Sequence, residues 1–163
     1  MIRAPGRERL MVFTVAVLAV LLIATGLWLY TDGSARRDAQ RAGTDAVAAA
    51  RASIVAMGTY RPETAEADLP AARERLTGEF LDDYTQLIQT VVIPSAQQKR
   101  IASVVSVPAA SVVSAERDRV VVLAFVDQTL TVGTEPPSAN PSRYRVTMEK
   151  VDGRWLIAGF DQI

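Results

Sequence analysis

Residues 10–30 read LMVFTVAVLAVLLIATGLWLY, and none of these 21 positions carries a charge. An α-helix over them would be roughly 31 Å long, which matches the hydrocarbon thickness of a bilayer. Trp28 and Tyr30 close the run, where amphipathic rings favour the membrane–water interface. Gly33-Ser34-Ala35 has the small residues of a signal-peptidase site, but a secretory signal has a shorter apolar region of about 7–15 residues. A core helix so long and so uniformly apolar would not suit one small domain. The run therefore reads as an uncleaved, single-pass transmembrane helix. It divides the chain into a tail at 1–9, a span at 10–30 and a domain at 31–163. Arg3, Arg7 and Arg9 precede the span, and Arg36, Arg37 and Arg41 follow it, so the Lys/Arg bias that orients such helices is nearly balanced. The tail is too short to fold, which favours a cytoplasmic N-terminus and an extracytoplasmic (periplasmic) C-terminal domain on the inner (plasma) membrane.

Chemistry is narrowed by what the chain lacks. Its 163 residues contain no Cys and no His. Disulfides, thiol catalysis and iron–sulfur ligation are thereby excluded, as are the commonest metal ligand and the commonest neutral-pH general base. Formal net charge is zero, so no basic surface exists to neutralise a run of phosphates, and no nucleic-acid partner is expected. No cofactor is expected either.

Beyond the span, residues 35–58 are Ala-rich, with Val47, Ala50, Ile54 and Met57 on one helical stripe and Gly58 as a stop. Arg61-Pro62-Glu63 marks a turn. Asp68 with Pro70 resembles a helix start, giving a short helix to about Leu76 that Thr77-Gly78 interrupts. In the next helix Phe80, Tyr84, Leu87, Ile88 and Val91 recur at the spacing of one apolar face, and Pro94 is expected to end it. Ser95-Ala96-Gln97-Gln98 offers a capping box for one further turn.

The stretch TGEFLDDYTQL (77–87) places Glu79, Asp82, Asp83 and Tyr84 within six positions. At 3.6 residues per turn, Asp82 points opposite the apolar face, Glu79 lies well off it and Asp83 on its flank, while Tyr84 points inward. The helix spreads these groups apart, so they read as scaffold rather than an acid–base site.

From Ile101 the pattern is β. Ile101–Val107 and Ala109–Ser114 are joined or bent at Pro108, and 115–119 (AERDR) is a polar turn. Arg119–Val132 is a long strand with Val120, Val122, Ala124 and Val126 on one face. Thr134–Ser142, with Pro136, Pro137 and Pro141, is expected to be a loop. Arg143–Val151 alternates, with Tyr144, Val146 and Met148 on one side. Asp152-Gly153 is a tight hairpin turn. The last strand, Arg154–Phe160, carries Trp155 and Ile157 on one face and Leu156, Ala158 and Phe160 on the other. Helices followed by meandering antiparallel strands make an α+β domain, a curved sheet wrapped on a helical layer.

An apolar anchor, an Ala-rich helix, TY (59–60), LTGEFLDDY (76–84), SVPAASVVSAERDRVVVLAFVDQT (106–129) and RVTMEKVDGRWLIAGF (145–160) follow in that order. The ordered set, over residues 10–163, resembles the Mce-associated membrane proteins of actinobacteria, accessory proteins of mammalian-cell-entry lipid importers. The resemblance implies a nuclear transport factor 2-like or SnoaL-like (cystatin-like) cone, similar to the periplasmic domains of type IV secretion channel proteins. It implies Mce transporter subunits as partners and brings no catalytic residues with it.

Three roles follow. The first is a non-enzymatic assembly factor stabilising the importer; the second is a lipid-binding or relay module using the hollow of the sheet. The third is an enzyme of the ketosteroid-isomerase or SnoaL type, for which Asp127 with Tyr84 or Tyr144 would be the acid–phenol candidates. With no His and no convergent acidic pair, the chain reads as no enzyme. The candidate docking residues are Asp127, Thr129 and Thr131 at the far end of the long strand, with Glu135, Pro136 and Pro137 in the proline loop. A strand end left unpaired there would be a template for strand addition.

Overall fold

A computed structural model describes residues 37–163. The expected tail and transmembrane helix at 1–30 lie outside the described residues; among the described ones, no helix is long and apolar enough to cross a membrane.

Helix α1 covers 37–58 and turns Ala42, Ala46, Ala50 and Ile54 into the core, with Val47 and Met57 packed at its margin. Small residues let it lie close to the sheet. A β-carbon on Gly43 would stand 3.1 Å from a Val112 methyl, and one on Gly58 only 2.6 Å from Val105. Gly58 thus does more than stop the helix.

Helix α2 spans Ala65–Ala72 and continues as a 3-10 turn at Arg73–Arg75. It starts earlier than Asp68 and contains Pro70 inside. The turn at Arg61–Thr64 already launches it, since the Ala65 N–H donates to the Arg61 carbonyl at 2.9 Å. Pro70 removes only the bond that its N–H would have made to Glu66.

Helix α3 (Gly78–Leu87), a π turn (Ile88–Val92) and helix α4 (Ile93–Lys99) form one continuous helical path. Pro94 therefore does not end the helix. It would clash with the carbonyl four residues earlier in a regular α-helix, but the wider π turn, in which the Ile93 N–H reaches the Ile88 carbonyl, accommodates it in the first turn of α4. The expected stripe is buried only in part. Tyr84 and Ile88 are buried, Phe80 is half-buried, and Leu87 and Val91 stay 51% and 52% exposed.

Four antiparallel strands follow in the order β1 (Ile101–Ala115), β2 (Arg119–Val132), β3 (Ser138–Val151) and β4 (Arg154–Gln162). The helices cover one face. Val120, Val122, Ala124 and Val126 of β2 are buried beneath them, with Val146 and Met148 of β3 beside them. The expected α+β architecture, helices first and a four-stranded antiparallel meander after, is found. Pro108 falls at a register shift between Ser106 and Ala109, so the two expected segments are one strand with a bulge. At this bulge the Arg51 guanidinium donates to the Val107 carbonyl at 2.7 Å. Asp152-Gly153 turns the last hairpin with both residues at positive φ, as a type I′ turn requires.

The proline-rich segment departs from expectation. β3 begins at Ser138, and Pro141 pairs opposite Asp127, so only the first half of Thr134–Ser142 is a loop. Pro141 is tolerated because β4 partners β3 only from Tyr144 onward, leaving residues 138–142 as a free edge that needs no ladder N–H.

Candidate functional site

Between α1, α3 and the inner face of the sheet lies an open cleft of about 640 Å³. Ile54, Met57, Leu87, Val105 and Val126 supply its aliphatic lining, and Gln128, Asn140 and Ser142 line a neutral polar end. Its aromatic wall crosses three elements. The Tyr144 and Phe160 rings stack with centroids 4.2 Å apart, Phe80 lies 6.0 Å from Phe160, and Tyr84 lies 6.4 Å from Phe80.

That wall depends on a bulge. Ile157 pairs with Met148, but Gly159 pairs with Thr147, so Ala158 is an extra residue in β4. An extra residue reverses the facing of everything after it. Phe160, expected on the face opposite Trp155 and Ile157, is thereby turned inward to Tyr144. Simple alternation could not show this.

Tyr84 is not a free acid–base group. Its hydroxyl donates toward the Met57 carbonyl (3.1 Å) and the Leu69 carbonyl (3.3 Å). Both acceptors belong to the last turns of α1 and α2, where helix carbonyls have no internal partner. Burial, and secondarily the nearby Tyr60 phenol, push its ionisation well above the ordinary 10.0; burial also raises Tyr60. Asp127 is exposed, and its neighbour Val126 takes the inward position, so Asp127 faces away from the cleft. Asp127 therefore does not join Tyr84 and Tyr144, which both line the cleft. Among the described residues, no cluster of three acidic side chains is placed to hold a metal.

Asp82 is exposed, as the helical phase predicts. Glu79 and Asp83 are exposed too, but they line the mouth of the cleft with Asp161. Sequence periodicity identified their hydration and missed their position.

The docking candidates sit elsewhere. Asp127, Thr129, Glu135, Pro136 and Pro137 are exposed and Thr131 is half-buried. Strand addition at 127–130 is ruled out, because those residues pair with β1 on one side and β3 on the other. The edge of Ser138–Ser142 away from β2 is unpaired, as are the outer edges of β1 and β4 at the ends of the sheet apart from single bridges. Elsewhere, single bridges tie the helical layer to the outer strands: Tyr60 to Ser103 on β1, and Leu76 to Ile157 on β4.

This arrangement, helices over one face of a four-stranded antiparallel sheet, is the fold of domains from bacterial secretion machines. An IcmL-like type IV secretion system protein from Legionella pneumophila superposes with a TM-score of 0.62 at 7% identity, covering 72% of this chain and 88% of that one. The periplasmic domain of DotI gives 0.61 at 15% identity, covering 72% and 91%. The chain belongs to the family described as uncharacterized protein Rv1363c/MT1408-like, whose model matches residues 9–161. A relative in Mycobacterium tuberculosis H37Rv, named outer membrane protein Rv1973, is 50% identical over 143 residues, which is 88% of this chain and 89% of that protein.

Proposed function

We propose that this protein is a non-enzymatic, membrane-anchored accessory factor that stabilises a mammalian-cell-entry lipid import complex. The observation that carries the reading is that Asp127 faces away from the Tyr84 and Tyr144 phenols, and that the Tyr84 hydroxyl is held by two helix carbonyls, in a domain whose fold is also used by secretion-system proteins. The ordered sequence resemblance across residues 10–163 supplies the importer as the system served. In this reading residues 10–30 anchor the chain in the plasma membrane and hold the domain outside the cytoplasm. The relative's name places that protein at an outer membrane. Membrane fractionation with carbonate extraction decides between the two sites, and a full-length chain released as soluble would remove the anchor altogether.

Tethering raises the effective concentration of a modest docking surface. That surface is the exposed ladder end at Asp127 and Thr129 with the loop at Glu135, Pro136 and Pro137, beside the free edge of β3. Deleting the gene should lower importer subunit levels and lipid uptake together. Charge-reversing Asp127 and Glu135 should reduce co-purification of importer subunits from native membranes while the domain stays folded. Unchanged subunit levels and uptake in the deletion strain would refute the role.

A second reading is favoured by the cleft itself. A volume of about 640 Å³ lies within the roughly 300–1,000 Å³ typical of small-molecule sites, so the domain would bind a lipid as well as, or instead of, a protein.

A further inference from the structure

The cleft has a definite chemical character. Its interior is aliphatic and aromatic, its polar end at Gln128, Asn140 and Ser142 is neutral, and the charged residues lining it are Glu79 and Asp83 of α3 and Asp161 of β4, whose cross-strand partner is Arg145; no Lys or Arg is among the lining. No ion pair among the described residues engages these three carboxylates. The aromatic residues are only partly covered by protein. Phe80, Tyr144 and Phe160 occupy inward positions yet remain half-buried, which leaves ring surface open to the cleft. Leu87, kept 51% exposed ahead of the π turn, forms an apolar lip at the same mouth. π turns inside helices are frequent at functional sites.

We propose that the cleft binds an aliphatic amphiphile whose headgroup is a cation, of the quaternary or primary ammonium class. The chain lies along the aliphatic lining, and the headgroup sits at the mouth, between the carboxylates and the aromatic wall. Two independent features select that charge. A carboxylate rim attracts a cation and repels a fatty acid or a phosphate monoester, and because the mouth is low in dielectric on its protein side the preference exceeds that of a fully hydrated surface. Ring faces carry negative quadrupole density and favour ammonium groups, quaternary ones above all because they cannot be satisfied by hydrogen bonds. An uncharged end lined by Gln128, Asn140 and Ser142 is compatible with this pose and holds no competing cation. The proposal rests on the lipid-binding reading of the cleft and is independent of the docking surface.

The test uses the full chain in nanodiscs of zwitterionic phospholipid. The probe is a decyltrimethylammonium bearing a photoactivatable diazirine, and labelled peptides are mapped by mass spectrometry. Competitors are decyltrimethylammonium, decanol and decanoate, all below their micellar concentrations. Labelling is expected on the segments around Glu79–Leu87 and Ala158–Asp161, with the ammonium competing about tenfold better than decanoate. Shortening the competitor by two methylenes should weaken it about tenfold, as burial of the chain requires. In the triple variant Glu79→Gln, Asp83→Asn, Asp161→Asn the ammonium preference should collapse while circular dichroism is unchanged, since all three side chains are exposed. Ala158→Phe, which fills the cleft, should abolish labelling there. Saturable binding with decanoate equal to or better than the ammonium overturns the headgroup assignment and leaves a lipid cleft. Label spread over the bilayer-facing chain and insensitive to either variant overturns both.

Discussion

Tyr84→Phe removes one oxygen and tests how the three helices are joined. The hydroxyl is shared between the carbonyls of Met57 and Leu69, so a single donor serves as the C-terminal cap of two helices. Leu69 is sealed, at 1% exposure, and no water can replace the donor; Met57 is half-buried and partly recovers solvation. Losing the bond and stranding one buried acceptor should cost about 2 kcal/mol. For a domain of this size that is a fall in Tm of roughly 5–10 °C, or about 1 M in urea midpoint at unchanged slope. The assay is urea and thermal denaturation of residues 39–163 followed by far-UV circular dichroism. An alkaline signature accompanies it. The folded-state ionisation of Tyr84 lies above 10.0, so above that pH the unfolded chain loses a proton that the folded chain keeps. Stability is full below pH 10 and declines as pH rises toward the folded-state value. Tyr84→Phe should flatten that alkaline decline, leaving the smaller contribution of Tyr60. A cost below about 0.5 kcal/mol, or an alkaline limb as steep as in the wild type, would refute the shared-cap argument.

Gly58→Ala should destabilise by about 1–3 kcal/mol through overpacking, because its β-carbon would stand 2.6 Å from Val105; adding Val105→Ala should recover part of the loss in the same melts. Asp82→Asn should fall within about 0.5 kcal/mol of wild type, whereas Phe80→Ala should cost about 1–3 kcal/mol, less than a sealed phenylalanine, because its ring is partly open to the cleft; equal costs would mean the helical phase is misassigned. Arg100→Gly should stabilise the domain by about 0.5 kcal/mol in the urea melts, since Arg100 holds φ 52° against a left-handed penalty of roughly 1–2 kcal/mol, and its 3.5 Å pair with Glu63 is solvent-exposed and contributes little.

The sheet was largely legible because burial on one face enforces alternation. Arg119–Val132 has the expected bounds and inward residues, and Asp152-Gly153 turns where its chemistry demands. What alternation and helical periodicity could not show are insertions that shift phase. Ala158 adds one residue to β4 and turns Phe160 inward; the π turn adds one to the α3–α4 path, shifts the phase from there on, and lets Pro94 pass. Pro141 misled for a related reason. A proline excludes a paired position, and only the length of β4 reveals that this position is unpaired. The cleft is assembled by these irregular residues, so the site was the least readable part of the molecule. Glu79 and Asp83 were correctly assigned to water, yet their position at the cleft mouth depends on which face of β4 Phe160 points from, a reversal decided elsewhere in the chain.

The strand order β1-β2-β3-β4 has a kinetic consequence. Each strand pairs with its immediate successor, so every hairpin closes a short loop, at small entropic cost, before any distant segment need arrive. The far-reaching closures are those that lay the helices on the sheet. They include Arg51 to the Val107 carbonyl, Tyr60 to Ser103, and Thr77 to the Ile157 carbonyl. Such pairings are slow to form because intervening chain must be ordered first. A meander made early would stand with its inner face bare until α1 and α3 settle upon it. The span of chain between Thr77 and Ile157, rather than the sheet itself, then sets the rate at which the cleft comes into being.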